Sequence, residues 1–239
     1  MAIKNRIKSI WKFIKITCIV MFLSSLVYII ICKWVFPPIT ITQIDNRFSY
    51  GLSRNYVPWN RISNNVKLAA LSSEDQTFMD HSGFDWDAIE KSLKPRKGKK
   101  KKLPPGAGAS TISQQVAKNV FLWQGSGWTR YLRKIPEMYF TKMIEWTWGK
   151  KRILEVYLNV IEMGPGVFGI EAAAEHNFGK HASELTREQA AQIVACFPNP
   201  KKFSVVHPQS RRVAWRYPQV LREINNVEDD DDIMDMLKN

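Results

Sequence analysis

The chain has 239 residues, 45% of them hydrophobic, and its 35 Lys and Arg against 22 Asp and Glu give a formal charge of +13. This length and composition exclude global disorder and suit one sizeable domain with an appendage. Cys18 and Cys32 fall in an apolar stretch and Cys196 stands alone beyond it, which excludes an intradomain disulfide or a cysteine-based zinc cluster in the rest of the chain.

Residues 1–15 form a basic N-terminus containing Lys4, Arg6, Lys8, Lys12 and Lys15. Between Lys15 and Lys33 comes the uncharged run "ITCIVMFLSSLVYIIIC", with Trp34 and Phe36 extending the apolar zone. A helix rising ~1.5 Å per residue crosses a bilayer over that zone, with the flanking lysines reaching the headgroups. We read residues 16–36 as a retained transmembrane anchor. A cleaved signal peptide fits less well, because Trp34 to Pro38 offers no small-x-small site. The basic flank leaves the N-terminus cytoplasmic and sends the remainder across the membrane. For a tethered cationic protein the nearest anions are lipid headgroups and lipid phosphates, so the membrane is the expected partner and nucleic acid is not.

Pro37 and Pro38 are expected to end the anchor, and residues 37–63 read as a polar and β-branched connector. From Asn64 the apolar spacing becomes helical, opening a domain at 64–224. The basic loop from Lys94 to Lys102, "KPRKGKKKK", and a C-terminal tail at 225–239 containing "EDDDD" read as solvated segments, the loop with an affinity for anionic headgroups. Further helices are expected from near Ser110, from Pro136 to Trp146 and from Lys150 to Ile161. Thr186 and Gln189 form a capping box before "REQAAQIVACF", which Pro198 and Pro200 close. Strand-like alternation is scarce, so the fold class is mainly α.

In "SSEDQTFMDHSGF" a helix from Asn64 to His81 would put Glu74, Phe78 and His81 on one face, where an aromatic wall would raise the pKa of Glu74 toward that of a general base. Spacing alone favours a plainer reading, with solvated carboxylates and a satisfied histidine. A zinc site lacks HExxH spacing. "GAGASTISQQVAKNVFL" leads from flexible glycines to a helix start where Ser110, Thr111, Gln114, Gln115 and Lys118 converge as a phosphate or sugar cradle, or simply as a capped helix. In "RKIPE", Pro136 suits a first helical turn, with Glu137 at the favourable N-terminal end and Arg133 and Lys134 beside it. The GxGxxG from Gly164 to Gly169 follows a helical pattern where a dinucleotide fingerprint needs a strand, so it reads as a tight turn, with Leu154, Leu158 and Ile161 as core.

Together and in order, "EDQTFMDHSGFD", "GASTISQQVAKN", "RKIPE", "KKRILEVYLN" and "GIEAAAEHNFGKHASELTREQAAQIVACFPNP" resemble the motifs of the peptidoglycan glycosyltransferases of glycosyltransferase family 51. The single anchor and "FLWQG" resemble the monofunctional biosynthetic transglycosylases within it. The resemblance implies a lysozyme-like helical domain on the outer face of the cytoplasmic (inner) membrane, polymerising lipid II onto a growing glycan strand. Glu74 matches the general base and Glu137 the second glutamate near the pyrophosphate. Lys118, Arg133 and Lys134 match cationic contacts, and Ser110, Thr111, Gln114 and Gln115 polar ones. No cofactor is obligatory, although a divalent cation, Mg or Mn, is compatible, with Glu137 as its candidate ligand. Cell-wall synthesis or division proteins remain open as partners. This chain departs from the pattern at Ser126, where many members carry arginine and for which Arg130 is a candidate substitute. Two rival readings are a lysozyme-like hydrolase of the same polymer and a non-catalytic, membrane-anchored scaffold for wall precursors.

Overall fold

The computed structural model describes residues 2–94, 108–125, 127–205 and 210–238, and it divides into two compact units, Met1–Pro37 and Pro38–Asn239. The first unit is dominated by helix α1, Ala2–Cys32, within which Lys4–Cys32 is long and apolar enough to cross a membrane. The helix takes in the basic N-terminus and stops at Cys32, before Pro37, so Trp34 and Phe36 lie beyond its end.

The second unit begins earlier and ends later than the expected 64–224 domain. The connector proves to be structured: Thr40 and Gln43 form a reciprocal capping box that opens α2 (Ile41–Tyr50), and β1 (Ser53–Arg54) follows. The acidic tail is structured too. Ser210 caps α10 (Arg211–Glu228), and α11 (Asp231–Lys238) follows it, burying Ile233, Met236 and Leu237 while Asp231 and Asp232 occupy the first turn. Acids at a helix N-terminus are favoured by the peptide dipoles, which is why an acidic run here is helical.

α3 (Asn64–Glu74) is buried from Val66 to Ser72 and packs against α9 (Arg187–Val194) and α10. It stops at Glu74, where Asp75 takes an extended φ of −163°. Phe78 and His81 therefore do not share a helical face with Glu74, contrary to the spacing argument. A second group packs α5 (Ile112–Phe121) on α6 (Thr129–Thr147) and α7 (Lys150–Val160). α4 (Trp86–Leu93), capped by Asp85, precedes this group in the chain.

α6 begins at Thr129, well before the expected start at Pro136, which sits inside the helix. Glu137 is therefore mid-helix, and the dipole argument for it fails. The glycine-rich turn is a small hairpin of β2 (Glu162–Gly164) and β3 (Val167–Phe168), with β1 added parallel to β3. A Cβ on Gly166, at φ +71°, would meet the Tyr50 and Gly51 carbonyl oxygens at 2.7 and 2.8 Å. Only glycine allows this approach. Leu154, Leu158 and Ile161 are buried as expected.

The "ILEVYLN" segment has a structural use. Fully buried Asn159 accepts from Val57 N at 2.8 Å and donates to Val57 O at 3.0 Å, and Glu155 accepts from Trp59 N at 2.7 Å. These bonds lash the chain before α3 onto α7. Glu171, in α8 (Ile170–Phe178), acts similarly, accepting from Ala182 N at 2.8 Å.

Beneath Trp59 lies Lys67, its ammonium 4.0 Å from the ring centroid and donating to Asn64 Oδ1 at 3.0 Å. Burial, aided by Lys151 and opposed by Glu155, lowers its pKa to about 8. Between that value and the ordinary 10.5 the unfolded chain binds more protons, so Lys67 adds stability as pH rises across this window. Wild type should therefore gain stability relative to Lys67→Met between pH 8 and 10, as measured by urea denaturation. Parallel pH profiles would refute the burial of this charge.

Candidate active site

Glu74 owes its position to the end of α3 and its isolation to its neighbour. Asp75 is fully committed: Oδ2 accepts from Ile112 N, the first residue of α5, at 2.9 Å, and Oδ1 lies 2.9 Å from His81 Nε2. Gly83 N donates to His81 Nδ1 at 3.1 Å, which fixes the neutral tautomer with its proton on Nε2, facing Asp75. His81 is thus part of the frame and not a metal ligand.

Glu74 has no such clasp. Its Oε2 accepts from Gln115 Nε2 at 2.9 Å, while Gln115 Oε1 lies 3.5 Å from the Tyr157 hydroxyl, which orients the amide. The carboxylate opens on a cleft of about 330 Å³ shared with Ser110, Thr111, Asp85, Arg216 and Glu223. Burial raises its pKa above the usual carboxylate range, against the lowering influence of Gln115, Arg216, Lys118 and Ser73. The wall that the sequence suggested as aromatic is therefore largely polar, and desolvation within the cleft supplies the upward shift.

One turn along α5 from Gln115 stands Lys118, whose ammonium makes no hydrogen bond among the described residues. Its pKa is lowered by burial first, then by Arg133 and Lys134, with Glu137 and Glu74 opposing. Glu137 is itself buried and doubly paired, Oε2 with Arg133 Nε at 3.1 Å and Oε1 with Lys134 Nζ at 2.5 Å. The Arg133 guanidinium also donates to the carbonyls of Trp123 and Gln124, tying the chain after α5 to α6. Asn119 Oδ1 and Thr42 Oγ1 hold the Gln124 amide at 2.9 and 3.0 Å. The result is a cationic group containing a single carboxylate, next to a raised carboxylate in a cleft.

Of the residues expected from sequence, Glu74, Gln115, Lys118, Arg133, Lys134 and Glu137 are brought into one electrostatic group, and Ser110 lines the cleft. Thr111 and Gln114 serve first as frame: they form the capping box of α5, and Thr111 Oγ1 donates to Gly83 O at 2.8 Å. Arg130 is exposed, its guanidinium over the Tyr131 ring at 5.4 Å, and the arginine acting on Lys118 is Arg133. Ser126 and residues 95–102 of the basic loop lie outside the described residues. Sequence reasoning missed Arg216 and Glu223. Ser210 followed by amphipathic spacing at Val213, Val220 and Ile224 was the signal that could have raised α10 as a cleft wall.

The donor set also bears on a divalent cation. Both Glu137 oxygens already accept from cations, and Lys118 adds a third positive group nearby. A resident cation would meet repulsion there, so these residues do not fit one.

Residues 41–225, which span both the cleft and the cationic group, match the family model described as Transglycosylase. The chain belongs to the transglycosylase family. It is 42% identical over 217 residues to the biosynthetic peptidoglycan transglycosylase of Pseudomonas savastanoi pv. phaseolicola, covering 86% of this chain and 88% of that protein. It is 41% identical to the protein of the same name from Bdellovibrio bacteriovorus, over 92% of this chain and 88% of the relative. With the one from Ectopseudomonas mendocina it shares 43% identity over 81% of each.

The two glutamates should respond oppositely to neutralisation. Glu74→Gln removes a charge that burial disfavours. It should raise the melting temperature at pH 7, with the difference vanishing below the usual carboxylate range, where wild-type Glu74 is also protonated. Glu137→Ala strands the buried Arg133 guanidinium and should cost about 3 kcal/mol in chemical denaturation. Equal effects from the two substitutions would contradict this geometry.

Proposed function

We propose that this chain is a peptidoglycan glycosyltransferase that polymerises lipid II into β-1,4-linked glycan, with Glu74 as base and Lys118, Arg133 and Lys134 at the leaving pyrophosphate. The observation that carries the reading is the raised Glu74 carboxyl beside an ammonium with no hydrogen-bond partner, itself linked to the Arg133–Glu137–Lys134 group.

Glu74 takes the proton from the acceptor's GlcNAc 4-hydroxyl as that oxygen attacks the donor's anomeric carbon. A C–O bond forms on one face while the bond to the lipid pyrophosphate breaks on the other, inverting the centre. A carboxyl held above its ordinary pKa is a stronger base once ionised. The leaving group needs no proton, because its charge is met by cations in a partly desolvated site. Lys118 is suited to this work, because an arriving anion favours its charged form and no competing hydrogen bond must be broken. Glu137 keeps Arg133 and Lys134 from repelling one another and aims them. In this scheme no resident metal is required.

A hydrolase would use Glu74 as an acid and need a second carboxylate free to act across the sugar. Asp75 is spent on His81 and Ile112, Asp85 on Ala88 and Thr77, and Glu137 on Arg133 and Lys134, which leaves Glu223 as the other carboxylate of the cleft. The cationic group suits a phosphate leaving group better than a sugar one.

A lipid-borne substrate also calls for a protein held at the bilayer. The apolar α1 supplies an anchor, with the N-terminus on the cytoplasmic side and the second unit on the outer face of the membrane. Within that unit α6 presents Tyr131, Leu132, Ile135 and Met138 outward at helical spacing, with Ile135 74% exposed, and α2 exposes Ile41, Ile44 and Phe48. Such stripes, costly in water, favour a lipid surface.

With fluorescent lipid II, wild type should form polymer without shortening preformed glycan. Glu74→Gln should lower turnover at least about 10²-fold while lipid II binding persists, and Glu137→Gln should impair turnover at all metal concentrations. Full polymerisation by Glu74→Gln would sink the base assignment, and binding without elongation by wild type would favour a scaffold.

A further inference from the structure

α10 forms the wall of the Glu74 cleft that no motif announces. Its buried stripe of Val213, Val220, Ile224 and Val227 belongs to a helix that packs on α3 and α9, and Arg216 and Glu223 line the cleft. Arg216 Nη2 donates to Ser73 Oγ at 2.9 Å, which tethers the guanidinium beside the base. Its Nε is buried without a hydrogen-bond partner. A buried unsatisfied donor is disfavoured unless the site gains from it.

The groups facing Glu74 come from every element around it. α3 supplies Ser73 and the committed Asp75, α5 supplies Gln115 and Lys118, and α7 supplies Tyr157, kept a phenol by burial with Glu74 and Asp75 adding to the effect. Asp85 and Glu223 share the cleft. α10 adds Arg216, so two cations face Glu74, Lys118 and Arg216, and they are not equivalent. The charge on Lys118 is eroded by burial and by Arg133, and in the reaction it serves the phosphates. A guanidinium does not deprotonate.

We infer that Arg216 is a positioning residue, which keeps Glu74 aimed and negatively charged while Lys118 attends to the leaving group. The inference rests on Glu74 acting as the base. Arg216 lowers the Glu74 pKa against the upward effect of burial, so its removal should make the base harder to ionise. Arg216→Lys keeps the charge but loses the planar fork that reaches Ser73, and it should fall between wild type and a neutral variant.

The test uses the full chain in detergent micelles, with glutamate side chains carrying 13C and the Glu74 signal assigned by its loss in Glu74→Gln. Arg216→Gln should move the Glu74 titration upward by about one pH unit, a tenfold loss of ionised base at a fixed pH below it, and Arg216→Lys by less. The acid limb of kcat/KM for lipid II polymerisation should move in parallel, so that Arg216→Gln regains activity at higher pH. An unmoved titration in a folded Arg216→Gln protein, or a loss of activity equal at every pH, would overturn the inference. A wild type that fails to polymerise lipid II would refute the proposed function, and the substrate-free titration would still decide the electrostatic role of Arg216.

Discussion

The side chain of Asp75 joins three parts of the molecule. It follows the last residue of α3, accepts the hydrogen bond of Ile112 N at the start of α5, and holds His81, whose other nitrogen is fixed by Gly83. An acid at a helix N-terminus is favoured by the free N–H groups and by the peptide dipoles. Through this bond α3 and α5 keep a fixed relation, and Gln115, a turn into α5, reaches Glu74. Adjacent carboxylates thus acquire opposite fates: one has both oxygens engaged by the frame, and the other is desolvated, with the Gln115 amide and Ser73 beside it.

The second constraint is electrostatic. Lys118 sits between influences of both signs, disfavoured by burial, Arg133 and Lys134 and favoured by Glu137 and Glu74. A group so balanced gains most from an incoming anion, because the anion changes the sign of its surroundings. The Arg133–Glu137–Lys134 pairing preorganises the same region at the cost of removing charges from water, which its extra bonds to the Trp123 and Gln124 carbonyls offset.

Most of the helices were legible because their signals are local. The Thr186–Gln189 capping box and the apolar stripe of α7 both stand as the spacing indicated. The errors have long-range causes. α3 ends at Glu74 although the apolar spacing continues, because Asp75 is drawn to Ile112, 37 residues on. α6 runs through Pro136, since Arg133, placed before the proline, ties this part of the helix to the Trp123 and Gln124 carbonyls outside it and also pairs with Glu137 one turn on. The charges misled in the tail, where buried Ile233, Met236 and Leu237 order a segment that composition marks as solvated. In the candidate site the ordered motifs pointed to Glu74, Lys118 and Glu137. Arg216 stayed hidden, because it reaches Ser73 only across 143 residues of chain.

In the proposed reaction Lys118 is a destabilised ammonium that an anionic leaving group rescues. The most direct measurement is a 15N NMR titration of the Lys118 side-chain amine in the full chain, without and with inorganic pyrophosphate. The amine should titrate below the ordinary lysine range in the free protein and shift upward when pyrophosphate binds. An amine that titrates like a solvent-exposed lysine and ignores pyrophosphate would contradict that role.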